Sequence, residues 1–165
     1  MKKNNKRFIA GLTAIFMAVS LSAESITVMS YNIRSSTKNE QDGPNGWELR
    51  KEAAVKMLLI ERPDVVGMQE EMPDQEEFLR EKLAAVYEGV SISRDPEKQA
   101  DEACSVFNNK TKYDLIRTNT FWLSETPDIP SRGWDGKYKR IVTYVHLKHK
   151  KKRTAMSGFQ YPFGS

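Results

Sequence analysis

Two oxygen-bearing side chains stand where short apolar runs of the sequence end. Asn32 closes the run SITVMSYN, and Glu70 follows the run DVVGMQ. If these runs form neighbouring strands, a carboxamide and a carboxylate meet at one edge of a sheet. That pair suits a hard cation such as Mg²⁺, which takes few protein ligands and leaves room for water and phosphate. Asn and Glu at strand ends are more commonly turn residues, and the adjacent Glu71 is expected to be solvated.

The elements that would position this pair follow from hydrophobic periodicity. Residues 25–33 predict a first strand, and a polar loop follows. A helix is expected from Trp47, and Pro63 limits it. Residues 64–68 predict a second strand, and a second helix opens at residues 72–74. Shorter strands are expected at residues 87–93, 103–107, 113–117, 121–124 and 141–147. This order indicates an α/β protein in which helices cover a sheet.

Other reactive residue types are scarce. The single cysteine, Cys104, has no neighbouring His or second Cys and is interpreted as a small buried residue. The two histidines, His146 and His149, are interpreted as a strand residue and a turn residue rather than catalysts. The basic run at residues 148–153 could contact nucleic acid, but its sequence is more typical of a solvated hairpin tip.

The N-terminal segment, residues 1–23, has the layout of a bacterial export signal. A basic start precedes a short apolar run, and small residues follow it. The alternative, an uncleaved membrane anchor, is disfavoured because the apolar run is short for a membrane span. The segment carries four of the 26 basic residues and none of the 22 acidic ones, so the remainder has no formal net charge. We therefore expect an exported protein, periplasmic or extracellular, whose basicity belongs to targeting.

Four motifs, taken together, resemble one known family. The stretches MSYNIR, WELRK, RPDVVGMQE and NTFWLSETPDIPSRGWDGKYKRIVTYVHLK are similar to an exported bacterial branch of the endonuclease/exonuclease/phosphatase superfamily. The resemblance covers roughly residues 25–148. It implies a DNase I-like four-layer α/β sandwich, of which residues 24–148 would form the N-terminal part, one sheet with covering helices.

The resemblance also implies roles for individual residues. Glu70 matches the family's metal-ligand glutamate, and Asn32 matches the asparagine that supports metal and phosphate. Arg140 resembles the arginine near the scissile phosphate, with a catalytic and substrate-binding role. Glu102 matches either a glutamate that orients a catalytic histidine or an ordinary loop carboxylate. The implied cofactor is Mg²⁺, or Mn²⁺ in its place.

Two further residues fit the family's helix-start pattern. Arg50 is a candidate substrate-binding residue, with helix solvation as the alternative. Trp47 is interpreted as a packing residue of the same helix.

Several family motifs are missing from this chain. The superfamily's Asn-x-His-x-Asp, Asp-x-Asn and Asp-His stretches do not occur, and residues 149–165 form a tail with no helical or strand periodicity. When the possible codons of residues 159–165 are read from their second base, they permit the peptide F-N-T-H-L-D-H. We therefore expect that the chain is a truncated or frameshifted member of the family and that it is inactive as printed.

The functional expectation is a metal-dependent phosphoesterase of the nuclease and phosphatase superfamily. Its substrate would be a phosphate ester, with nucleic acid among the possibilities, and the sequence does not choose among nucleic acid, lipid, inositol and sugar phosphates. We expect a monomer with no membrane span after signal removal. The alternative is a non-catalytic, exported protein that binds phosphate groups or nucleic acid at the edge formed by Asn32, Glu70 and Arg140.

Overall fold

The structure is a computed structural model that describes residues 25–38, 40–98, 100–151 and 155–160. Its helices and strands are, in chain order, β1 (Val28–Asn32), α1 (Trp47–Glu61), β2 (Val65–Gln69), α2 (Pro73–Leu83), β3 (Tyr87–Val90), β4 (Val106–Asn109), β5 (Tyr113–Trp122), β6 (Ile141–His149) and β7 (Ala155–Gln160). Two short 3-10 turns lie between β1 and α1, at Ser36–Lys38 and Gly43–Asn45. The expected export signal lies outside the described residues.

The two helices form where the periodicity predicts them. In α1, Ala54, Val55 and Leu58 are buried on one face. The helix ends at Arg62, which has a left-handed φ of 44° and donates its backbone N–H to the Leu58 carbonyl at 3.0 Å. This is a common way to satisfy a last-turn carbonyl.

Helix α2 begins at Pro73, whose missing N–H is no loss in a first turn. The side chain of Gln75 then accepts the backbone N–H of Met72 at 3.1 Å.

The first sheet has the strand order β1-β2-β4-β3. Strands β1 and β2 are parallel, with Asn32 opposite Gln69, and the other two pairs are antiparallel. All five residues of β2 are buried, which is typical of a strand covered on both faces. The register places the ends of β1 and β2 side by side, as the proposed Asn32 and Glu70 pair requires.

A second sheet, with the order β5-β6-β7, packs against the first. Val65 and Val106 of the first sheet meet Tyr113, Val145 and Leu147 of the second in one buried cluster. On the opposite face of the first sheet, the helices bury a larger cluster that includes Leu58, Met68 and Phe107. The expected α/β fold is confirmed, but the expectation of a single sheet is wrong: the described chain has a helix layer and two sheet layers.

Two differences from the expected strands have a physical cause. The separate short strands expected at residues 113–117 and 121–124 are one strand, β5, because β6 pairs with it over its length, with one irregularity between Leu115 and Arg117. The tail, which showed no periodicity, contains β7, which pairs antiparallel with β6 from Lys148 opposite Ala155 to Thr143 opposite Gln160. Within the described part of the chain, no helix is long and apolar enough to cross a membrane.

Candidate metal and phosphate site

The two strand-end side chains, Asn32 and Glu70, are in contact. The Asn32 Nδ2 group donates a hydrogen bond to Glu70 Oε1 at 2.8 Å. The contact arises because β1 and β2 are adjacent parallel strands that end at the same sheet edge. Asn32 is exposed and Glu70 is half-buried, so a solute can reach this pair.

Both strands leave the sheet through strained residues at this point. Glu70 has a φ of 59°, and Arg34, two residues after Asn32, has a φ of 57°. Neither residue is a glycine, and non-glycine residues in this region cost energy and cluster at functional sites. The Arg34 backbone N–H donates to Asn32 Oδ1 at 2.9 Å, so both ends of the Asn32 amide are engaged. Asn32 is thereby held in the position from which it orients the Glu70 carboxylate.

Sequence reasoning missed Arg34. Its guanidinium forms a two-pronged ion pair with Asp42, with Nε to Oδ2 and NH2 to Oδ1 both at 2.5 Å. The hydrogen bond and charge of Asp42, with a smaller contribution from the Glu70 carboxylate, raise the pKa of Arg34. A permanent positive charge therefore lies near Glu70. Its position two residues after a candidate ligand was the only signal in the sequence that could have found it.

Arg50 supports the loop that carries Arg34. Its Nε donates to the Asn45 carbonyl at 2.9 Å, and its NH2 donates to the Arg34 carbonyl at 2.6 Å. The guanidinium also lies over the Trp47 ring, 5.2 Å from its centroid. Gln75 donates to the same Arg34 carbonyl at 3.0 Å. These contacts make Arg50 a support of the loop, while its substrate-binding role stays a prediction. Trp47 is buried, as its packing interpretation requires.

The expectation that Glu71 is solvated is wrong. Its side chain is 0% exposed, because the chain after Glu70 turns inward and pairs with Ala103, whose N–H donates to the Glu71 carbonyl at 2.8 Å. Neither carboxylate oxygen has a hydrogen-bond partner among the described residues. Burial raises the pKa of Glu71 to about 8. The Ser105 hydroxyl lies close enough to oppose this rise, but it does not reach hydrogen-bond geometry.

The Glu71–Ala103 bridge brings the backbone of Glu102 near the residues that follow β2. Glu102 Oε2 accepts a hydrogen bond from Arg94 NH1 at 2.6 Å. Arg94 also donates two hydrogen bonds to the Asp101 carboxylate, from Nε at 3.1 Å and from Nη2 at 2.9 Å. The structure thus ties Glu102 to an arginine, and its predicted role in orienting a histidine stays a prediction.

Arg140 lies near this acidic and basic group, directly before β6. Its Cζ is 5.9 Å from the Tyr138 ring centroid, and its carbonyl accepts the Leu123 N–H at 2.8 Å. Besides burial, the charges of Glu102 and Arg140 act on the pKa of the Cys104 thiol, Glu102 raising it and Arg140 lowering it. Burial is the largest of the causes that raise the pKa of Cys104 to about 12, which agrees with its interpretation as a small buried residue.

The two histidines contact other residues of the second sheet. His146 Nδ1 lies 3.1 Å from Ser157 Oγ across the β6–β7 pair. The His149 ring packs edge-on against Tyr113, with ring centroids 5.2 Å apart. The contact of His146 fits its interpretation as a strand residue, whereas His149, expected in a turn, is the last residue of β6 and pairs with Tyr113.

The donor set at Glu70 fits a cation that needs few protein ligands. Among the described residues, no cluster of three or more His, Cys, Asp or Glu side chains is arranged to hold a metal ion. A cation at Glu70 would therefore have one carboxylate, a neighbouring amide and water around it. Mg²⁺ accepts such an arrangement because it keeps several of its waters, whereas structural Zn²⁺ requires a closed set of four ligands.

Comparison with known proteins identifies a shared fold. No protein-family model matches the chain. An endonuclease/exonuclease/phosphatase from Bacteroides vulgatus is 33% identical with a TM-score of 0.74, over 82% of this chain and 50% of that one. A mannosyl-6-phosphatase from Bacteroides thetaiotaomicron is also 33% identical, with a TM-score of 0.76 and the same coverage of both chains.

A more distant relative is the CCR4-Not complex 3'-5'-exoribonuclease subunit Ccr4 of Emericella nidulans. It is 26% identical over 146 residues, which correspond to 76% of this chain and 21% of that protein. The chain spans about half the length of the solved structures it matches. Over that half, the chain has the DNase I-like α/β fold of endonuclease/exonuclease/phosphatase proteins.

Proposed function

We propose that the chain belongs to the endonuclease/exonuclease/phosphatase superfamily and forms part of a Mg²⁺-dependent phosphoesterase site. The observation that carries this proposal is the 2.8 Å hydrogen bond between Asn32 and Glu70 at the shared end of β1 and β2. The solved structures at 33% identity, a phosphatase among them, support the same class of reaction.

Each residue has a proposed task. Glu70 holds Mg²⁺ or Mn²⁺, and Asn32 orients the Glu70 carboxylate and shares in holding the ion. A bound divalent cation would polarise a phosphoryl oxygen and stabilise the leaving group. Arg140 contacts the phosphate as a fixed positive charge. Glu102 sets the position of neighbouring groups through Arg94.

The substrate is a phosphate ester. The names of the relatives include a mannosyl-6-phosphatase and an exoribonuclease, so sugar phosphates and nucleic acid are both candidate substrates. We further propose that the protein is exported, on the basis of the signal-like residues 1–23, and that it acts as a monomer. Because the matched structures are about twice as long, these proposals concern the half of the fold that the chain spans.

The test of catalysis compares the full chain with two glutamate variants. If the half of the site carried by this chain is sufficient for catalysis, it releases p-nitrophenolate from p-nitrophenyl phosphate or its diester only when Mg²⁺ is present, and Glu70→Gln lowers that rate by about a hundredfold. The expectation that the chain is inactive predicts no release from either ester. Glu77→Gln is the matched control, because Glu77 is an exposed carboxylate on α2 and is not one of the proposed site residues. Equal rates in the chain and in Glu70→Gln would contradict a role for Glu70.

The same experiment separates the binding alternative. Metal-dependent binding of a phosphate ester that needs Glu70, without turnover, would favour a non-catalytic phosphate-binding protein. Hydrolysis that needs Glu70 would favour the enzyme.

A further inference from the structure

A tryptophan stands out at the surface of the loop between β5 and β6. The Trp134 residue is 75% exposed, whereas the other two tryptophans, Trp47 and Trp122, are only 2% and 7% exposed. A single exposed apolar side chain is common at protein surfaces and indicates no site by itself, so the loop around Trp134 decides how its exposure is interpreted.

The backbone of Trp134 is also strained. Its φ is 47°, in the left-handed region that bulky residues rarely adopt. Such conformations persist only where the surrounding structure enforces them, and they cluster at ligand clamps.

The surroundings do enforce this conformation. A Cβ atom on the preceding residue, Gly133, would lie 2.1 Å from the Leu123 carbonyl oxygen, so the loop passes directly over the end of β5. The Ser131 hydroxyl lies 2.6 Å from that of Ser124, and the Pro127 carbonyl accepts the Trp122 N–H at 2.8 Å. These contacts fix the loop, so the Trp134 indole projects from a backbone held in place.

The same loop contains Arg140, the proposed phosphate-binding residue. Leu123, whose carbonyl lies under Gly133, donates its N–H to the Arg140 carbonyl. The exposed ring of Tyr138, in the same loop, has three cationic groups within 6 Å of its centroid. They belong to Arg94 and Lys137, both at 5.3 Å, and to Arg140 at 5.9 Å. Trp134, Tyr138 and Arg140 thus belong to one loop, and Arg94, from the connection between β3 and β4, adds a further positive charge beside Tyr138. Lys139 fixes this loop to Asp95 through an ion pair of 2.7 Å.

We propose that Trp134 is a specificity-determining residue that stacks against the ring of a ring-bearing phosphate ester. This inference rests on the proposed function, in which Arg140 contacts the phosphate. The ring is either the apolar C–H face of a sugar or the face of a nucleobase, and both stack on an indole. A phosphate ester with no ring would gain nothing from Trp134.

The test measures binding to the full chain in Mg²⁺ by calorimetry and by tryptophan fluorescence. The probes are a hexose 6-phosphate, a nucleoside 5'-monophosphate and the ring-free glycerol 3-phosphate. Because Trp134 is the exposed tryptophan, we expect a ring-bearing ester to quench the solvent-exposed part of the emission. Trp134→Ala should weaken binding of that ester about tenfold and leave binding of glycerol 3-phosphate unchanged. Trp134→Phe should keep affinity within about threefold, since a ring remains.

Ile129→Ala is the matched control, because Ile129 is a 61% exposed apolar residue of the same loop and should leave all affinities unchanged. Preference for the hexose or the nucleotide identifies the ring. Equal losses for all three probes in Trp134→Ala, or no loss for any of them, would overturn the proposal. Failure of the proposed function would give a different result. Binding of the phosphate esters would then not depend on Mg²⁺ and would be unchanged in Glu70→Gln, whatever the effect of Trp134→Ala.

Discussion

At the scale of single residues, the adjacent glutamates Glu70 and Glu71 lie in opposite environments. Glu70 is half-buried, lies at the strand end and contacts Asn32, whereas Glu71 is completely buried and has no hydrogen-bond partner for its carboxylate among the described residues. The sequence predicted the position of Glu70 because strand ends follow from local apolar runs. It could not predict burial of Glu71, which depends on pairing with Ala103, a residue distant in the sequence. Arg34 was missed for a similar reason, since its partner Asp42 comes from a loop without periodicity.

The buried Glu71 carboxyl should make folding stability depend on pH. Its pKa is about 8 in the folded state and near 4.5 when unfolded, so between these values the folded state holds more protons. Stability contributed by this group should therefore be fully present below about pH 4.5 and should fall as the pH rises through 8. The upper limit is on the order of 5 kcal/mol, at about 1.36 kcal/mol per pKa unit.

Urea unfolding in EDTA at several pH values measures this effect without a bound cation. Glu71→Gln keeps the shape of the side chain without its charge, so its stability should vary less with pH and exceed that of the parent at pH 8. Glu77→Gln, at an exposed position, should follow the parent chain. Parallel pH profiles for Glu71→Gln and the parent would show that Glu71 does not ionise with a raised pKa.

At the scale of elements, most boundaries followed from local signals. Pro63 and Pro73 bracket β2, both helices begin close to the expected residues, and α1 ends before Pro63 as expected. One exception is β7, because Ala155–Gln160 has no strand periodicity and becomes a strand only by pairing with β6. Local sequence predicts an element when the element's own pattern is sufficient, and it fails when a neighbouring strand supplies the hydrogen bonds.

The end of α1 offers a test at this scale. Arg62 has a φ of 44°, a conformation in which glycine carries no steric penalty. Arg62→Gly should therefore raise the free energy of unfolding by about 0.5–1 kcal/mol. The matched control, Lys56→Gly, lies at an exposed position in the helix interior and should lower it by about 1 kcal/mol. Thermal unfolding followed by circular dichroism distinguishes the two, and equal losses in both variants would refute the assigned helix end.

At the scale of the whole molecule, the three layers of the described chain bury two large apolar clusters. The helix-facing cluster was predictable from helical periodicity. The cluster between the sheets was not, because it joins Val65 and Val106 to Val145 and Leu147, which are distant in sequence. The resemblance to a known family implied the α/β fold, yet the number of sheets in the described chain followed only from strand pairing.

Packing between the two sheets should stabilise the whole fold. Leu147 is 0% exposed at this interface, so Leu147→Ala should lower the free energy of unfolding by about 2–5 kcal/mol. Leu49→Ala, at a 71% exposed position on α1, is the control and should change it by less than about 0.5 kcal/mol. Equilibrium unfolding in urea measures both. A Leu147→Ala variant as stable as the Leu49→Ala variant would mean that the sheets do not pack through this cluster.

The central claim is that the strand-end pair of Asn32 and Glu70 holds a divalent cation. The most direct measurement is Mn²⁺ binding to the full chain by electron paramagnetic resonance, with Mg²⁺ as competitor. We expect Mn²⁺ to bind, Mg²⁺ to displace it, and Glu70→Gln to weaken binding at least about tenfold, while Glu77→Gln leaves it unchanged. Equal Mn²⁺ affinity in the parent chain and in Glu70→Gln would contradict the claim.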